Sequence, residues 1–301
     1  MKTFLSLGMV PDQVLVVDNL STGKKEWLDP RVRLIPKDIA TAELDKILLG
    51  VDIVWHLAAE PDVRIGAKNT FVHLEKNILI THRLLDAMRT ANVKKIVFTS
   101  TSAVYGEARV MPTPEDHSTH PISLYGASKL ACEALIMAYC HTFDMQAWIY
   151  RLANVVGPRA THGVIPDLIQ KLRGNPNELE ILGDGKQRKS YIYIEDTIEA
   201  MLTGLKSQER VNIFNVGTKQ QTTVDRIAQI ICGEMKLKPR IRYTGSRRGW
   251  PGDVPEMLLS TKKLERLGWK ARQSSEQAIR RTVKELLTHS NVDLMADWYN
   301  F

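Results

Sequence analysis

The sequence predicts an α/β fold: a parallel sheet with helices on both faces, joined to a smaller C-terminal lobe. Apolar runs of strand length recur over residues 13–18, 32–35, 52–56, 95–99 and 145–150. Stretches with apolar residues at helical spacing lie between them, the longest being 71–91 (Leu74, Ile78, Leu84, Leu85, Met88) and 125–143. Strands that alternate with helices at this interval are βαβ units, whose strands run parallel and are buried on both faces. After Asn154 the texture changes to shorter elements and more turns.

Taken in order, residues 2–8 read as the end of a helix, and 13–18 as a buried strand closing on Asp18. Two further strands and the helix 71–91 precede the strand 95–99, the helix 125–143 and the strand 145–150. Residues 155–159 read as a loop, 164–172 as a short helix and 179–182 as a short strand before the Gly183-Asp184-Gly185 turn. Residues 191–194 lead into a helix over 195–206, and 212–216 is expected to rejoin the sheet. Helices are expected over 223–235, 261–267 and 275–287. The division that follows places a sheet domain over 1–153, with 188–217 returning to it, and a smaller lobe over 154–187 and 218–301.

Composition narrows the function. With 44% apolar and 25% charged residues in 301, the chain is of ordinary globular make-up. No apolar run reaches membrane-spanning length, and no secretory signal is expected at the start. Three scattered cysteines (Cys132, Cys140, Cys232) argue against a disulfide framework and for a reducing, cytoplasmic setting. The net charge is +7, and the densest basic stretch, 236–248, reads as a solvated face or as the rim of an anion pocket. It lacks the interleaved aromatics of a nucleic-acid surface, so no nucleic-acid partner is expected, and no membrane.

The chemistry gathers between residues 94 and 129. An apolar strand, Ile96-Val97-Phe98, breaks into the hydroxyl run Thr99-Ser100-Thr101-Ser102, and beyond a Pro-marked loop comes Tyr125-Gly126-Ala127-Ser128-Lys129. Residues four apart share a helical face, and an ammonium beside a phenol favours the phenolate. A Tyr and a Lys at this spacing therefore read as a proton-transfer pair, or as a surface Lys packing its stem on a ring. His117 and His120, near Glu115 and Asp116, fit no standard metal spacing, and no metal is expected.

The strand-end hydroxyls together with Tyr125-x-x-x-Lys129 resemble the extended short-chain dehydrogenase/reductases, specifically the NAD-dependent nucleotide-sugar epimerases, and the resemblance extends over about 18–269. It implies a Rossmann-type doubly wound sheet and a catalytic set of Thr101, Tyr125 and Lys129. Val16-Val17-Asp18-Asn19-Leu20-Ser21-Thr22-Gly23 resembles that family's acid-ended strand, where an acid accepts the ribose hydroxyls and favours NAD over NADP. Asp38-Ile39, His56-Leu57-Ala58-Ala59, Asn77, Ser100 and Leu152 correspond to further cofactor positions; His56 itself reads as a satisfied histidine at a strand end. On the substrate side the resemblance points to Thr101, Tyr125, Asn154, Gly163, Val164, residues 180–182, Lys189 (beside Arg188), Asp253 and Met257. Trp250 stands where the family has an Arg, so Arg247 or Arg248 is expected to reach in; Met257, slimmer than the family's Tyr, implies room for an N-acetyl group.

Two departures matter. The residues after Thr101 are Ser102 and Ala103, neither able to do the carboxylate acid/base work of the family's dehydratases and decarboxylases, which implies epimerisation at carbon 4 of a UDP-sugar, UDP-glucose and UDP-galactose foremost. No Gly-x-Gly-x-x-Gly occurs, and only 17 residues precede Asp18, so the first strand and its Gly-rich loop are expected to be missing, through a shortened gene model. Another nucleotide-sugar epimerase or reductase, or a non-catalytic scaffold, remain alternative readings. The resemblance also implies a homodimer through the helices carrying Asn77 and Tyr125.

Overall fold

The structure, a computed structural model, describes residues 10–288. The helix end expected over 2–8 lies outside them. The first elements are short: β1 (Leu15–Val17), β2 (Arg33–Ile35), α1 (Leu44–Ile47), β3 (Val54–His56) and α2 (Ile65–Lys68). A π-helical turn, Leu74–Leu79, runs into α3 (Ile80–Thr90). Then come β4 (Lys95–Thr101), a 3-10 turn (Ser102–Tyr105), α4 (Leu124–Thr142) and β5 (Gln146–Leu152). The second half holds β6 (Asn154–Val156), α5 (Val164–Gly174), β7 (Glu178–Ile181), β8 (Arg188–Lys189), β9 (Tyr191–Tyr193), α6 (Ile194–Gly204) and β10 (Val211–Val216). It closes with β11 (Thr222–Thr223), α7 (Val224–Met235), β12 (Arg240–Tyr243), β13 (Glu256–Met257), α8 (Lys262–Arg266) and α9 (Ser275–Thr288).

The main sheet is parallel, in the order β10-β5-β4-β3, and β1 pairs separately with β2, also in parallel. Among the described residues, no strand pairs with the other edge of β1 or of β3. Side-chain alternation divides the sheet's two faces. Ile96 and Phe98 of β4 and Ala147 and Ile149 of β5 pack with Leu84, Leu85, Met88 and Ile136 of α3 and α4. Val97, Trp148, Tyr150 and Phe214 point the other way, onto Ala200, Met201, Leu264 and Trp269. Each fully buried Ile, Phe or Leu here contributes about 1.5–3 kcal/mol. A separate core joins α5, α7 and α9 to β7 and β9 through Leu168, Leu172, Leu179, Tyr193, Ile227, Ile231, Ile279 and Val283.

Two local expectations fail for identifiable reasons. The stretch read as a loop after Asn154 opens with a strand, because β6 pairs in parallel with β9 in register Asn154↔Tyr191. That partner lies far off in sequence. The basic stretch contains β12, paired with β7, which charge had hidden: all four residues are exposed, and Arg242 forms ion pairs with Glu178 and Glu180. No helix among the described residues is long and apolar enough to cross a membrane.

Candidate active site

A cleft of about 1490 Å³ opens where β1, β3 and β4 end and β6 begins. Its walls carry Asp18, Ile39, Leu57, Ala58, Ala59 and Leu152 toward one end, with Ser100, Thr101, Tyr125 and Lys129 beyond them. Asn154, Gly163, Val164, Lys189, Asp253 and Met257 complete the wall. These sixteen sequence-predicted residues therefore share one cavity. Asn19, Asp38, Asn77 and Arg248 are not among its lining residues.

Local sequence sets the geometry around Thr101 and Tyr125. Thr101 ends β4 and caps the 3-10 turn, its Oγ1 accepting from the Ala103 amide at 3.1 Å. Ser123 caps α4 by accepting from the Gly126 amide at 3.1 Å. Two glycines let the turn and the helix meet. Gly106 takes φ 61° with the His120 carbonyl oxygen 2.0 Å from where a Cβ would stand, and at Gly126 the Ala103 carbonyl oxygen would be 2.7 Å away. The result brings the Thr101 hydroxyl beside the Tyr125 phenol, where it favours ionisation. The His73 ring lies edge-on to Tyr125, with centroids 5.7 Å apart.

Burial dominates the electrostatics of this pair. It pushes the phenol up to about 12, against the influence of the Thr101 hydroxyl, and pulls the Lys129 ammonium down to about 8, against the charge effects of Cys132 and Glu133. Lys129 is only 2% exposed, and its Nζ sits 4.1 Å from the Phe98 ring centroid. The expected phenol lowered by a neighbouring ammonium is thus not what this geometry gives. The two residues share a helical face, but the Lys stem runs on over Phe98, where the ring gives the cation a partial substitute for water.

A buried network fixes the strand end behind Thr101. Ser100 Oγ donates to the Glu133 carboxylate, which Arg151 also binds through Nε (3.1 Å) and Nη2 (2.7 Å). Arg151 Nη1 reaches Tyr105 Oη at 2.9 Å and the Glu115 carbonyl at 3.0 Å, and Tyr105 Oη donates to Asn215 Oδ1 at 2.8 Å. Asn77 plays a comparable part on the other side. Its Oδ1 accepts from the Glu60 amide at 2.8 Å, and its Nδ2 donates to Ser128 Oγ at 2.9 Å and the Glu60 carbonyl at 3.3 Å. Asn77 is therefore a buried brace behind the wall. The residue it presents to the cleft, Glu60, was not picked out by sequence reasoning; only its place directly after His-x-Ala-Ala marks it. His56 is half satisfied: Nε2 meets Thr81 Oγ1 at 2.9 Å, whereas buried Nδ1 finds no partner among the described residues, and burial lowers the ring to about 3.

The part of the cleft around Asp18 suits a dinucleotide. Asp18 Oδ1 accepts from the Leu20 amide at 2.7 Å, an Asx turn that leaves Oδ2 for a ribose hydroxyl, and Gly23 packs against the carboxylate, where a Cβ would stand 3.0 Å from Oδ2. Asn19 Nδ2 donates to Asp38 Oδ2 at 2.9 Å, tying two expected contacts to each other. Ala58 and Ala59 keep the β3 end small enough for close approach.

At the other end the cations are largely committed. Lys189 Nζ donates to Asp253 Oδ1 at 2.6 Å and lies 5.4 Å from the centroid of Trp250. The expectation that Arg248 reaches into the cleft is not met. Its guanidinium donates to the Asp253 carbonyl at 2.6 Å and forms an ion pair with Glu107. Arg188 forms an ion pair with Glu256. The Tyr191 phenol lies beside the Asn154 side chain, and Met257, 8% exposed, closes the pocket wall.

Lys129 provides a stability test. Its depressed folded pKa means that the unfolded chain binds more protons between about pH 8 and 10.5, so stability rises with pH across that window. Below pH 8 the full penalty of burying the charge is present. Lys129→Met should therefore stabilise the fold at pH 7 by on the order of 2 kcal/mol, with the advantage shrinking toward pH 10. Urea unfolding at both pH values measures it, and a variant no more stable than the parent at pH 7 would contradict the geometry.

Residues 2–217 match the NAD dependent epimerase/dehydratase family. A putative UDP-glucose 4-epimerase of Methanocaldococcus jannaschii is 34% identical over 90% of this chain and 89% of its own. A crystal structure of a UDP-galactose 4-epimerase superposes with a TM-score of 0.85 at 38% identity, covering 95% of this chain and 93% of that one. The UDP-glucuronic acid 4-epimerase of Bacillus cereus, solved with UDP-glucuronic acid and NAD, gives 0.82 at 26% identity over 91% of each chain. Sequence, fold and site together make this chain a member of the NAD-dependent epimerase/dehydratase family, of the nucleotide-sugar epimerase type.

Proposed function

We propose that the protein interconverts UDP-glucose and UDP-galactose by inverting carbon 4. The observation that carries this reading is the Thr101 hydroxyl on the Tyr125 phenol, with Ser102 and Ala103 where an eliminating enzyme would need carboxylates. In the proposed mechanism Thr101 orients the 4-hydroxyl, and Tyr125 takes its proton as carbon 4 is oxidised. NAD, held by Asp18 and the small Ala58-Ala59 strand end, would supply the hydride acceptor for carbon 4 and the hydride donor for its reduction from the other face. Tyr125 then gives the proton back, so the reaction is redox-neutral overall. Lys129, at about 8, is mostly cationic at neutral pH; turned from Phe98 toward the phenol, its charge offsets the burial that otherwise keeps Tyr125 protonated. Asp18 would hold the adenosine ribose and repel a 2′-phosphate. Asn154 and Lys189 would face the UDP moiety, with Met257 bounding the sugar.

The same reading makes the protein a homodimer of a reducing compartment. Phe71, Leu74, Leu79 and Leu124 are exposed by 55%, 40%, 49% and 44% along the stretches that carry Asn77 and Tyr125, and three free thiols suit the cytoplasm. Sedimentation velocity at micromolar concentration should give twice the chain mass; a monomer would sink the dimer.

Tyr125→Phe removes the proton acceptor and keeps the ring. It should lower kcat for UDP-galactose by roughly 10²–10⁴-fold with NAD still bound. Activity within tenfold of the parent would contradict the assignment.

A further inference from the structure

We propose that Glu60 restricts the sugar pocket to hexoses with a neutral group on carbon 6, rejecting hexuronates. The inference rests on the nucleotide-sugar reading above and adds a specificity-determining residue to it.

Glu60 lines the cleft directly after the small pair Ala58-Ala59. Its position is over-determined. Asn77 holds both its amide and its carbonyl, and the same Asn77 side chain binds Ser128, the residue before Lys129. The loop is thereby keyed to the helix that carries Tyr125. The side chain is held as well, with Oε1 accepting from the Asp62 amide at 3.0 Å. Among the described residues no basic side chain comes within ion-pairing distance of Glu60; Arg64 is turned to Asp62 instead, Nε to Oδ1 at 3.2 Å. The field of the carboxylate reaches the reacting group, since Glu60 is among the charges that resist ionisation of Tyr125.

Sugar chemistry does the rest. Carbon 6 is two bonds from carbon 4, so a substrate that offers its 4-hydroxyl to Tyr125 carries its carbon-6 substituent within about 5 Å of the reacting oxygen. A hydroxymethyl group there can donate a hydrogen bond to Glu60. A carboxylate meets a fixed like charge in a cleft where solvent screening is reduced, an unfavourable contact built against one class of ligand. A single close like-charge pair of this kind is enough for discrimination of about 100-fold.

Binding of UDP, UDP-glucose and UDP-glucuronate to the NAD-loaded protein, measured by calorimetry, tests this. The parent should prefer UDP-glucose to UDP-glucuronate by about 100-fold, and should bind UDP-glucuronate no better than UDP. In Glu60→Gln, which keeps the acceptor for the Asp62 amide, that preference should fall at least tenfold. If UDP-glucose and UDP-glucuronate bind the parent within threefold of each other, or if Glu60→Gln leaves the ratio unmoved, the proposal is overturned while the nucleotide-sugar reading stands. If UDP itself fails to bind the parent, that reading falls and the proposal with it. The parent's own preference decides the question even if the variant folds poorly.

Discussion

The buried ion pair between Glu133 and Arg151 is the joint on which the active site depends. Glu133 is fully buried on α4, one helical turn beyond Lys129, and Arg151, 5% exposed, projects from β5. Each has its remaining polar atoms taken up by groups that matter nearby: Ser100 at the β4 end, Tyr105 in the turn after Thr101, and the Glu115 carbonyl. Through Tyr105 the network extends to Asn215 on β10. Such a pair is a poor source of net stability, because two charges must leave water. Removing either partner alone, however, strands the other and costs about 3–5 kcal/mol. What it contributes is registry: strand, turn and helix cannot slide without breaking several buried hydrogen bonds together.

That rigidity explains how the site holds groups in states they would not choose. Lys129 is buried with only an aromatic face for its ammonium, and Tyr125 is pushed away from ionising. Both features weaken the folded state, and in the proposed mechanism Lys129 must turn from Phe98 toward the phenol to offset the burial that opposes ionisation of Tyr125. The close approaches at Gly106 and Gly126 permit the packing, and the Glu133–Arg151 network keeps it.

Much of this was legible in the sequence, and the boundary of legibility is physical. Local periodicity places Thr101 and Asp18 at strand ends and Tyr125 and Lys129 on one helical face, and the family resemblance singles them out. The alternation that buries Phe98 and Trp148 on opposite faces is equally local. What escaped depends on contacts between residues far apart in the chain. Strand β6 exists because Tyr191–Tyr193 lies beside it, and β12 because acidic β7 pairs with its arginines. Asn77 was recognised as belonging near the site, but its role as the clamp for Glu60 appears only when both ends of a 17-residue separation are seen together. Arg248 is not among the cleft's lining residues because its guanidinium is taken up by Glu107 and the Asp253 carbonyl, partners that spacing could not reveal.

The central claim is that hydride leaves carbon 4 and returns to the same carbon inside one closed pocket, while Tyr125 carries the proton. It is tested most directly with UDP-galactose deuterated at carbon 4, converted in ordinary water and followed by mass spectrometry and NMR. The account predicts that the epimerised product keeps the deuterium at carbon 4, with no solvent hydrogen incorporated there. Loss of the label to solvent, or its transfer to another position on the sugar, would contradict it.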